Sequence, residues 1–370
     1  MTNSRVTRLA HLLVDYSTEI KRDDQVLIWA PASTTSMPLM LALYERVLEN
    51  GGHPHLAPFL QGPEDVFFRF AQEHQLDYVS PFYKLAVDTF DAIIRIEGVS
   101  NTRALSNVDP TKQVRRRQAH ETILKTYLQR GDADQLKWNV TLFPTDAMAQ
   151  EADMSLHDYS HFVYRACHVN DDDAPVAHWQ SVRSNQQRLV DWLSNRDRVQ
   201  VRAANIDLTM SIKGRTFINA CGKRNMPDGE IFTGPVEDSV NGHVLFDYPV
   251  TVGGREIENI KLRFKDGKVV HASATKNEPY LLQMLDSDPG ARYVGEWAIG
   301  TNYGIDQHTK QILFDEKMGG SMHIAVGSGY PLTGSRNVSA IHWDMISNIK
   351  SESEITVDGD SLYKDGQFQI

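Results

Sequence analysis

Apolar positions in the first half of the chain follow two alternating patterns. A helical spacing, with apolar residues three or four positions apart, covers residues 37–50 and 174–194. Short apolar runs typical of buried strands lie at residues 25–30, 91–96 and 138–143. Further helices are predicted around residues 9–16, 63–75, 110–129 and 147–167. Because single helices separate the strands, the pattern predicts βαβ units and a mostly parallel sheet covered on both faces.

The pattern changes from Arg198 onward, where short alternating segments are separated by turn residues such as Gly253-Gly254 and Asp266-Gly267. These segments cover residues 199–203, 207–212, 244–248, 257–264 and 269–274. They predict an antiparallel β region, either a barrel or a strongly curved sheet, with some helix inserted. A chain of 370 residues is long enough for two domains. We therefore predict an α/β domain over residues 1–195 and a β-rich α+β domain over residues 196–370.

Composition and charge exclude several classes of partner. The formal net charge is −10, which argues against nucleic acid, and the basic run Arg115–Arg117 lies in a helical pattern as a solvated face. No apolar run approaches the roughly 20 residues needed to cross a bilayer. The first residues form a charged amphipathic pattern rather than a signal peptide, and the chain has 2 cysteines. We therefore expect a cytoplasmic protein that binds neither nucleic acid nor membranes.

Four segments of the second half place possible metal ligands among glycine, proline or apolar residues. They are NMPDGEIFTGP, GEWAIGTN, FDEKMGGSMH and AIHWD, and their candidate ligands are Glu230, Glu296, Glu316, His323, His342 and Asp344. Taken singly, each has a simpler explanation. Glu316 could pair with Lys317 or cap a helix, and a lone His-x-Asp is more often an ordinary surface or core pair.

The spacing of His342 and Asp344 nevertheless favours a shared ion. Residues two apart on a strand point to the same face, so one imidazole and one carboxylate can converge. His323 begins another apolar strand and can point inward in the same way. Imidazole with carboxylate suits zinc, manganese, cobalt or iron better than calcium. Six such side chains exceed the needs of one zinc ion and suit two ions that share a carboxylate.

Longer motifs resemble a known family. The segments NMPDGEIFTGPVEDSVNGHVLF, GEWAIGTN, ILFDEKMGGSMHIAVGSGYP and SAIHWDMI occur in the order found in the M29 family of metallo-aminopeptidases. The resemblance implies an N-terminal α/β domain, a C-terminal domain that carries the site, and a homodimer that encloses the active sites. It also implies that the six candidate residues are the ligands of a two-metal centre, and that Tyr330 is similar to the catalytic tyrosine of the family.

The implied activity is hydrolysis of the N-terminal peptide bond of peptides with a free N-terminus. Two divalent ions (zinc, cobalt, manganese or magnesium) would activate a bridging water, and one of them could hold the free α-amino group. We assign Glu296 as the shared carboxylate, which could also assist as general base. Tyr330 would donate a hydrogen bond to the oxyanion.

Two other interpretations remain open from the residues. His323, His342 and one carboxylate could form the 2-His-1-carboxylate site of a mononuclear non-haem iron ring-cleaving dioxygenase. That enzyme would not need Glu230, Glu296 and Glu316 together. The second alternative is a binding or scaffold protein that has lost its chemistry, which the full set of candidate ligands argues against.

Overall fold

The computed structural model describes residues 4–370. The chain forms two compact units: Met1–Gln180 with Cys221–Asp228, and Ser181–Ala220 with Gly229–Ile370. The chain therefore leaves the first unit, returns to it for one short segment and leaves it again. The domain boundary between residues 195 and 196 stays a prediction, because compactness does not test whether a segment folds independently.

Strands and helices account for most of the described residues. The strands are β1 (Gln25–Pro31), β2 (His53–Phe59), β3 (Ala92–Glu97), β4 (Lys137–Leu142), β5 (Arg198–Ala203), β6 (Ile206–Ser211), β7 (Ile218–Ala220), β8 (Asn225–Met226), β9 (Glu230–Thr233), β10 (Asn241–Phe246), β11 (Val250–Val252), β12 (Arg255–Ile257), β13 (Ile260–Lys265), β14 (Lys268–Ser273), β15 (Val294–Gly300), β16 (Ser321–Gly327), β17 (His342–Asn348), β18 (Glu354–Val357), β19 (Asp360–Lys364) and β20 (Gln367–Phe368). The helices are α1 (Ser4–His11), α2 (Met37–Glu49), α3 (Pro63–Phe70), α4 (Glu73–Leu76), α5 (Pro81–Thr89), α6 (Pro110–Ala119), α7 (Glu121–Asp132), α8 (Asp146–Glu151), α9 (Leu156–Ala166), α10 (Pro175–Leu193), α11 (Glu278–Leu285) and α12 (Ile312–Asp315). A π-helical segment, Leu12–Ser17, continues α1. Among residues 4–370, no helix is both long enough and apolar enough to cross a membrane.

The first unit contains a five-stranded parallel sheet with the order β2-β1-β3-β4-β8. Its central strands carry consecutive buried apolar residues, among them Val26, Leu27 and Ile28 on β1. A parallel sheet that is covered on both faces has continuous apolar strands rather than alternating ones. The predicted mostly parallel sheet is confirmed.

Strand β2 was absent from the predicted elements. It contains Pro54 and Pro58, and it lies at one end of the sheet with several exposed residues. Proline cannot donate a ladder hydrogen bond, so it is tolerated at sheet edges but argues against a strand when only the sequence is considered.

Three of the predicted helices are each divided in the structure. The segment 63–75 forms α3 and α4, which are separated by Ala71 and Gln72 in extended conformation. The segment 110–129 forms α6 and α7, which meet at His120. The segment 147–167 forms α8 and α9, separated by Asp153 in the left-handed region and by Ser155, whose hydroxyl accepts from the Asp158 N–H. Aspartate tolerates positive φ and serine is a preferred N-cap, so local chemistry ends one helix and begins the next.

The second unit contains two larger antiparallel sheets, as the β-rich prediction required. Eight strands form the order β14-β13-β10-β6-β5-β18-β19-β20, and five form the order β17-β16-β15-β9-β7. Strands β11 and β12 pair separately as a hairpin. Both larger sheets have two end strands, so the described residues form open sheets in place of a closed barrel. The alternative of a strongly curved sheet stays a prediction.

Candidate metal centre

Five of the six candidate ligands lie on one face of the five-stranded antiparallel sheet of the second unit, which has the order β17-β16-β15-β9-β7. The register pairs Glu296 with Ala325 and Ala325 with Asp344, so these positions lie side by side across β15, β16 and β17. Residues two apart on a strand share a face. The residues that this rule places on the same face are Glu230, Glu296, His323, His342 and Asp344.

The opposite face of this sheet packs into the core. The alternate positions Ile231, Trp297, Ile324 and Trp343 are all almost completely buried. Because the side-chain period of a strand is two, these apolar residues fix the register that turns the polar residues to the other face. The apolar pattern therefore determines where the candidate ligands point.

Glu316 reaches the cluster from outside the sheet. It follows the short helix α12. The backbone of the next two residues, Lys317 and Met318, passes close to Gly300 on β15. A Cβ atom at position 300 would lie 2.2 Å from the Met318 carbonyl oxygen. Glycine at this position therefore allows the segment that carries Glu316 to lie against the sheet.

The His323 imidazole lies at the centre of the cluster. Its Nε2 atom is 3.1 Å from Glu296 Oε1, 3.6 Å from Glu230 Oε2 and 3.8 Å from Asp344 Oδ1. His342 approaches from the neighbouring strand, with Nε2 3.6 Å from Glu296 Oε2 and 3.5 Å from Asp344 Oδ1. The two oxygens of Glu296 thus face different imidazoles, an arrangement suited to a carboxylate that bridges two ions.

Backbone carbonyls orient both imidazoles. The His323 Nδ1–H donates to the Glu316 carbonyl oxygen at 3.0 Å, and the His342 Nδ1–H donates to the Ser328 carbonyl oxygen at 2.7 Å. With Nδ1 occupied in this way, Nε2 of each ring is directed into the cluster. Metal-binding histidines are commonly held by such a hydrogen bond from the second ring nitrogen.

Burial shifts the protonation of the three glutamates. The pKa values of Glu230, Glu296 and Glu316 are raised above their ordinary range, mainly because removal from water disfavours the charged form. Nearby positive groups, chiefly Lys317 at Glu230 and Glu316, oppose this effect without cancelling it. Without a bound cation, these carboxyls therefore retain protons more readily than exposed glutamates do.

The imidazoles and Asp344 shift in the opposite sense. Burial disfavours charge on His323 and His342, but the surrounding carboxylates prevail and raise their pKa values to about 9 and about 10. Burial also acts against ionised Asp344, yet His342 and then His323 lower its pKa to about 2. In the absence of a metal the site therefore holds protons at neutral pH, and a cation would bind by replacing them.

Two carboxylate oxygens provide a direct test of whether a cation fits. Glu230 Oε2 and Asp344 Oδ1 are buried, and neither has a hydrogen-bond partner of normal geometry. Such oxygens are costly to bury unless another group satisfies them. Three sets of ligand atoms, each within 4.8 Å of one another, satisfy the requirement for a cation: Glu230, Glu296 and His323; Glu296, His342 and Asp344; and Glu316, His323 and Asp344. The donor set fits divalent metal ions, while the role of each residue as a ligand stays a prediction.

Tyr330 lies at the side of the cluster. Its ring is 5.1 Å from the His342 ring and 5.5 Å from the Phe232 ring, measured between centroids. The Thr333 hydroxyl donates to the Tyr330 carbonyl oxygen at 2.7 Å and fixes the turn that follows. Burial, together with the nearby carboxylates, raises the pKa of Tyr330 well above its ordinary value. The phenol therefore keeps its proton and can donate a hydrogen bond.

Two buried polar residues in contact with the cluster were absent from the predicted site. Lys317 donates hydrogen bonds to both Glu230 and Glu316. The sequence feature that could have indicated its place in the site is its position next to the candidate ligand Glu316. Gln186 donates to the Glu230 carbonyl oxygen at 3.1 Å. It stands between Asn185 and Gln187 in a polar helix, so nothing in the sequence indicated that its side chain is buried.

Comparison with known proteins places this site in a family. The sequence profile described as thermophilic metalloprotease (M29) matches residues 2–368. The chain belongs to the M29 family. The resemblance inferred from four motifs is thus confirmed over nearly the whole length of the chain.

Individual M29 relatives agree with this assignment. Aminopeptidase AmpS of Bacillus subtilis (strain 168) is 30% identical over 252 residues, which cover 62% of this chain and 61% of that protein. Aminopeptidase T of Thermus thermophilus is 25% identical over 401 residues, which cover 97% of this chain and 95% of that protein. The chain thus matches about three-fifths of the length of the first relative and nearly all of the second.

A solved structure shares the M29 fold. The structure described as wild-type AmpT from Thermus thermophilus has a TM-score of 0.85 with this chain and covers 99% of both chains. The two sequences are 22% identical, so the likeness establishes the fold alone. The predicted α/β and β-rich fold class is confirmed.

Proposed function

We propose that this chain is a metal-dependent aminopeptidase that removes the N-terminal residue of peptides. The observation that carries the proposal is the convergence of His323 and His342 on buried carboxylate oxygens that lack donors. Both imidazoles are held by backbone carbonyls, so the cluster is preorganised for cations. Membership of a metalloprotease family and relatives named aminopeptidases support hydrolysis at the N-terminus.

The proposed centre holds two divalent ions per chain, which would be zinc, cobalt, manganese or magnesium. Their ligands would be Glu230, Glu296, Glu316, His323, His342 and Asp344. Glu296 is suited to bridging because Oε1 faces one imidazole and Oε2 faces the other. Asp344 Oδ1 lies within 3.8 Å of one imidazole nitrogen and 3.5 Å of the other, and it could serve both positions.

The side chains supply distinct functions around this centre. Divalent ions held by these residues would lower the pKa of a bound water and polarise the scissile carbonyl. Glu296 could also assist as general base, since its two carboxylate oxygens face the two imidazoles of the cluster. Tyr330 donates a hydrogen bond to the developing oxyanion, because its phenol remains protonated.

The proposed substrates are peptides with a free N-terminus, and the proposed assembly is a homodimer. Both statements extend the family resemblance and are independent of the site geometry. We also propose a cytoplasmic location. The ring-cleaving dioxygenase receives no support from the comparisons. A 2-His-1-carboxylate site would also leave most of the six-residue cluster without a role.

The test is release of a free amino acid from an unblocked dipeptide, beside its N-acetylated twin. Chelator-stripped protein would be re-supplied separately with zinc, cobalt, manganese, magnesium or ferrous iron. We expect cleavage of the unblocked peptide alone, and only with metal. His342→Gln should abolish both metal binding and cleavage, because it removes one imidazole from the cluster.

The matched control is His271→Gln, which changes an exposed histidine on β14 in the same unit and should leave cleavage unaltered. Absence of cleavage with every metal would overturn the proposal. Oxygen uptake with ferrous iron and a dihydroxylated aromatic compound would then favour the oxygenase.

A further inference from the structure

A buried ammonium group adjoins the candidate metal centre. The Lys317 side chain is 0% exposed, and its Nζ atom lies 3.2 Å from Glu230 Oε1. The same ammonium donates a hydrogen bond to Glu316 Oε1. Lysine is almost never fully buried unless its charge is paired, because loss of hydration costs several kcal/mol.

The backbone around Lys317 fixes the starting point of its side chain. The Lys317 N–H donates to the Phe314 carbonyl oxygen at 3.0 Å, and the Lys317 carbonyl oxygen accepts from the Asn302 N–H at 3.0 Å. The chain passes directly over Gly300 at this point. Backbone hydrogen bonds therefore fix the origin of the side chain whose ammonium contacts the carboxylates.

The ammonium occupies one oxygen of each carboxylate that it contacts. At Glu230, Oε1 faces Lys317, whereas Oε2 is buried without a donor and lies 3.6 Å from His323 Nε2. At Glu316, Oε1 is taken in the same way. An oxygen that already accepts from an ammonium is a poorer ligand for a cation, so the second oxygen of the carboxylate is favoured for an ion.

Charge balance shows that Lys317 complements the ions. In the metal-bound site both imidazoles would be neutral ligands, so Glu230, Glu296, Glu316 and Asp344 provide four carboxylates against the single positive charge of Lys317. When the carboxylates are ionised, a large negative excess remains for divalent cations to neutralise. Orientation of the carboxylates is the function that this geometry favours.

We propose that Lys317 is a positioning residue that makes Glu230 and Glu316 monodentate ligands, each offering only its second oxygen to an ion. This proposal rests on the proposed metal centre. Without Lys317, the released oxygens of both glutamates would become available to the ions, and the coordination number would rise.

Cobalt(II) reports this change through its visible absorption, which weakens as four- or five-coordinate sites become six-coordinate. We would load chelator-stripped wild-type protein and Lys317→Met with cobalt, then record the spectrum and the metal content of each. We expect Lys317→Met to bind the same amount of cobalt with a visible molar absorbance at least twofold lower. Wild-type protein that binds no cobalt would refute the metal centre itself, which separates the two proposals.

Lys310→Met is the matched control. Lys310 lies in the same segment and pairs with Glu256 at 3.2 Å, so the substitution removes the same charge without touching the cluster. Its cobalt spectrum should equal that of the wild type. A wild-type spectrum for Lys317→Met, with only a lower melting temperature, would show a purely structural lysine and overturn the proposal.

Lys317→Gln provides a second variant should Lys317→Met fail to fold. Its shorter amide can still donate, but it cannot serve both carboxylates as the ammonium does. We expect an absorbance between those of the wild type and a six-coordinate cobalt reference complex. A spectrum that equals the wild type would contradict the assignment as directly as for the first variant.

Discussion

Small residues stand between the candidate ligands on the polar face of the five-stranded sheet. Ala298 pairs with His323, and Ala325 pairs with both Glu296 and Asp344. Gly300 on β15 pairs with Glu230 on the neighbouring strand β9. Since directly opposed residues on one face are close neighbours, larger side chains here would occupy the space that the ions need. The candidate metal centre therefore requires small residues at these positions as well as the predicted ligands.

Tyr330→Phe tests the proposed oxyanion donor. The variant keeps the ring contacts with Phe232 and His342 and removes only the hydroxyl. Loss of one well-placed oxyanion donor costs about 2.7–4 kcal/mol, so we expect kcat to fall about 10²- to 10³-fold with metal content unchanged. Steady-state kinetics on an unblocked dipeptide, together with metal analysis, measures both quantities.

Tyr303→Phe is the control for this prediction. Tyr303 is 58% exposed and its hydroxyl donates to the Gly366 carbonyl oxygen, away from the predicted ligands. Its turnover should match the wild type. If Tyr330→Phe retained most of the wild-type kcat with both ions bound, the hydroxyl would have no role in the reaction.

The sequence predicted the convergence of the candidate ligands better than their surroundings. The His342-x-Asp344 spacing indicated a common strand face, and the structure has both residues on β17. Lys317 was considered only as a partner of Glu316, because a lysine in sequence carries no sign that its ammonium is buried. Its position depends on the approach of its backbone to Gly300, a tertiary contact between distant segments.

At the scale of elements, the periodic segments were predicted correctly and the local interruptions were missed. Strands β1, β3 and β4 lie within one or two residues of the predicted runs, because buried strands have a continuous apolar signature. The prolines of β2 concealed an edge strand. The breaks between α6 and α7 and between α8 and α9 depend on one or a few residues. Helical periodicity is judged over many residues, so it does not detect such short interruptions.

Helix α10 is tied to the candidate site through one buried side chain. The Gln186 amide donates to Asn219 Oδ1 at 2.7 Å, to the Ala220 carbonyl oxygen at 2.9 Å and to the Glu230 carbonyl oxygen at 3.1 Å. Its own oxygen accepts from the Thr301 hydroxyl at 2.6 Å. Gln186 therefore connects the strand ends on either side of Glu230.

Gln186→Met should loosen this connection while nearly preserving side-chain volume. Carbonyl oxygens at Ala220 and Glu230 would lose a donor, and unsatisfied buried polar groups cost about 1–3 kcal/mol each. We expect the free energy of unfolding to fall by about 2 kcal/mol. Metal affinity should also weaken, because the backbone at Glu230 gains freedom. Urea unfolding and chelator competition measure the two effects.

Asn185→Met provides the comparison on the same helix, because it replaces a neighbouring amide by the same thioether. Asn185 is exposed, so this substitution should change stability by no more than about 0.5 kcal/mol and leave metal affinity unaltered. Equal effects of the two substitutions would mean that the hydrogen bonds of Gln186 do not support the site.

At the scale of the whole molecule, all six candidate ligands belong to the second compact unit. They are spread along the chain from Glu230 to Asp344, and the sheet order β17-β16-β15-β9 brings most of them together. The sequence indicated a β-rich region here. It did not indicate which of its distant strands pair with one another, because that pairing depends on tertiary packing. The short return of Cys221–Asp228 to the first unit could not be predicted for the same reason.

Removal of the metal should therefore act on one unit. A ligand that binds only the folded state stabilises it by about 2.7 kcal/mol when its concentration is 100 times Kd. We expect chelation to lower the melting temperature, and re-addition of metal to restore it. Hydrogen exchange followed by mass spectrometry should become faster in β9, β15, β16 and β17, because these strands would lose the stabilisation that a bound ligand gives to the elements that hold it.

The parallel strands of the first unit provide the internal control for this exchange experiment. Strands β1 and β3 contain none of the candidate ligands, so their exchange should be nearly the same with and without metal. An equal acceleration in both units would mean that metal binding stabilises the chain as one cooperative body. Faster exchange in the first unit alone would place the bound metal outside the cluster, because a ligand protects most strongly the elements that hold it.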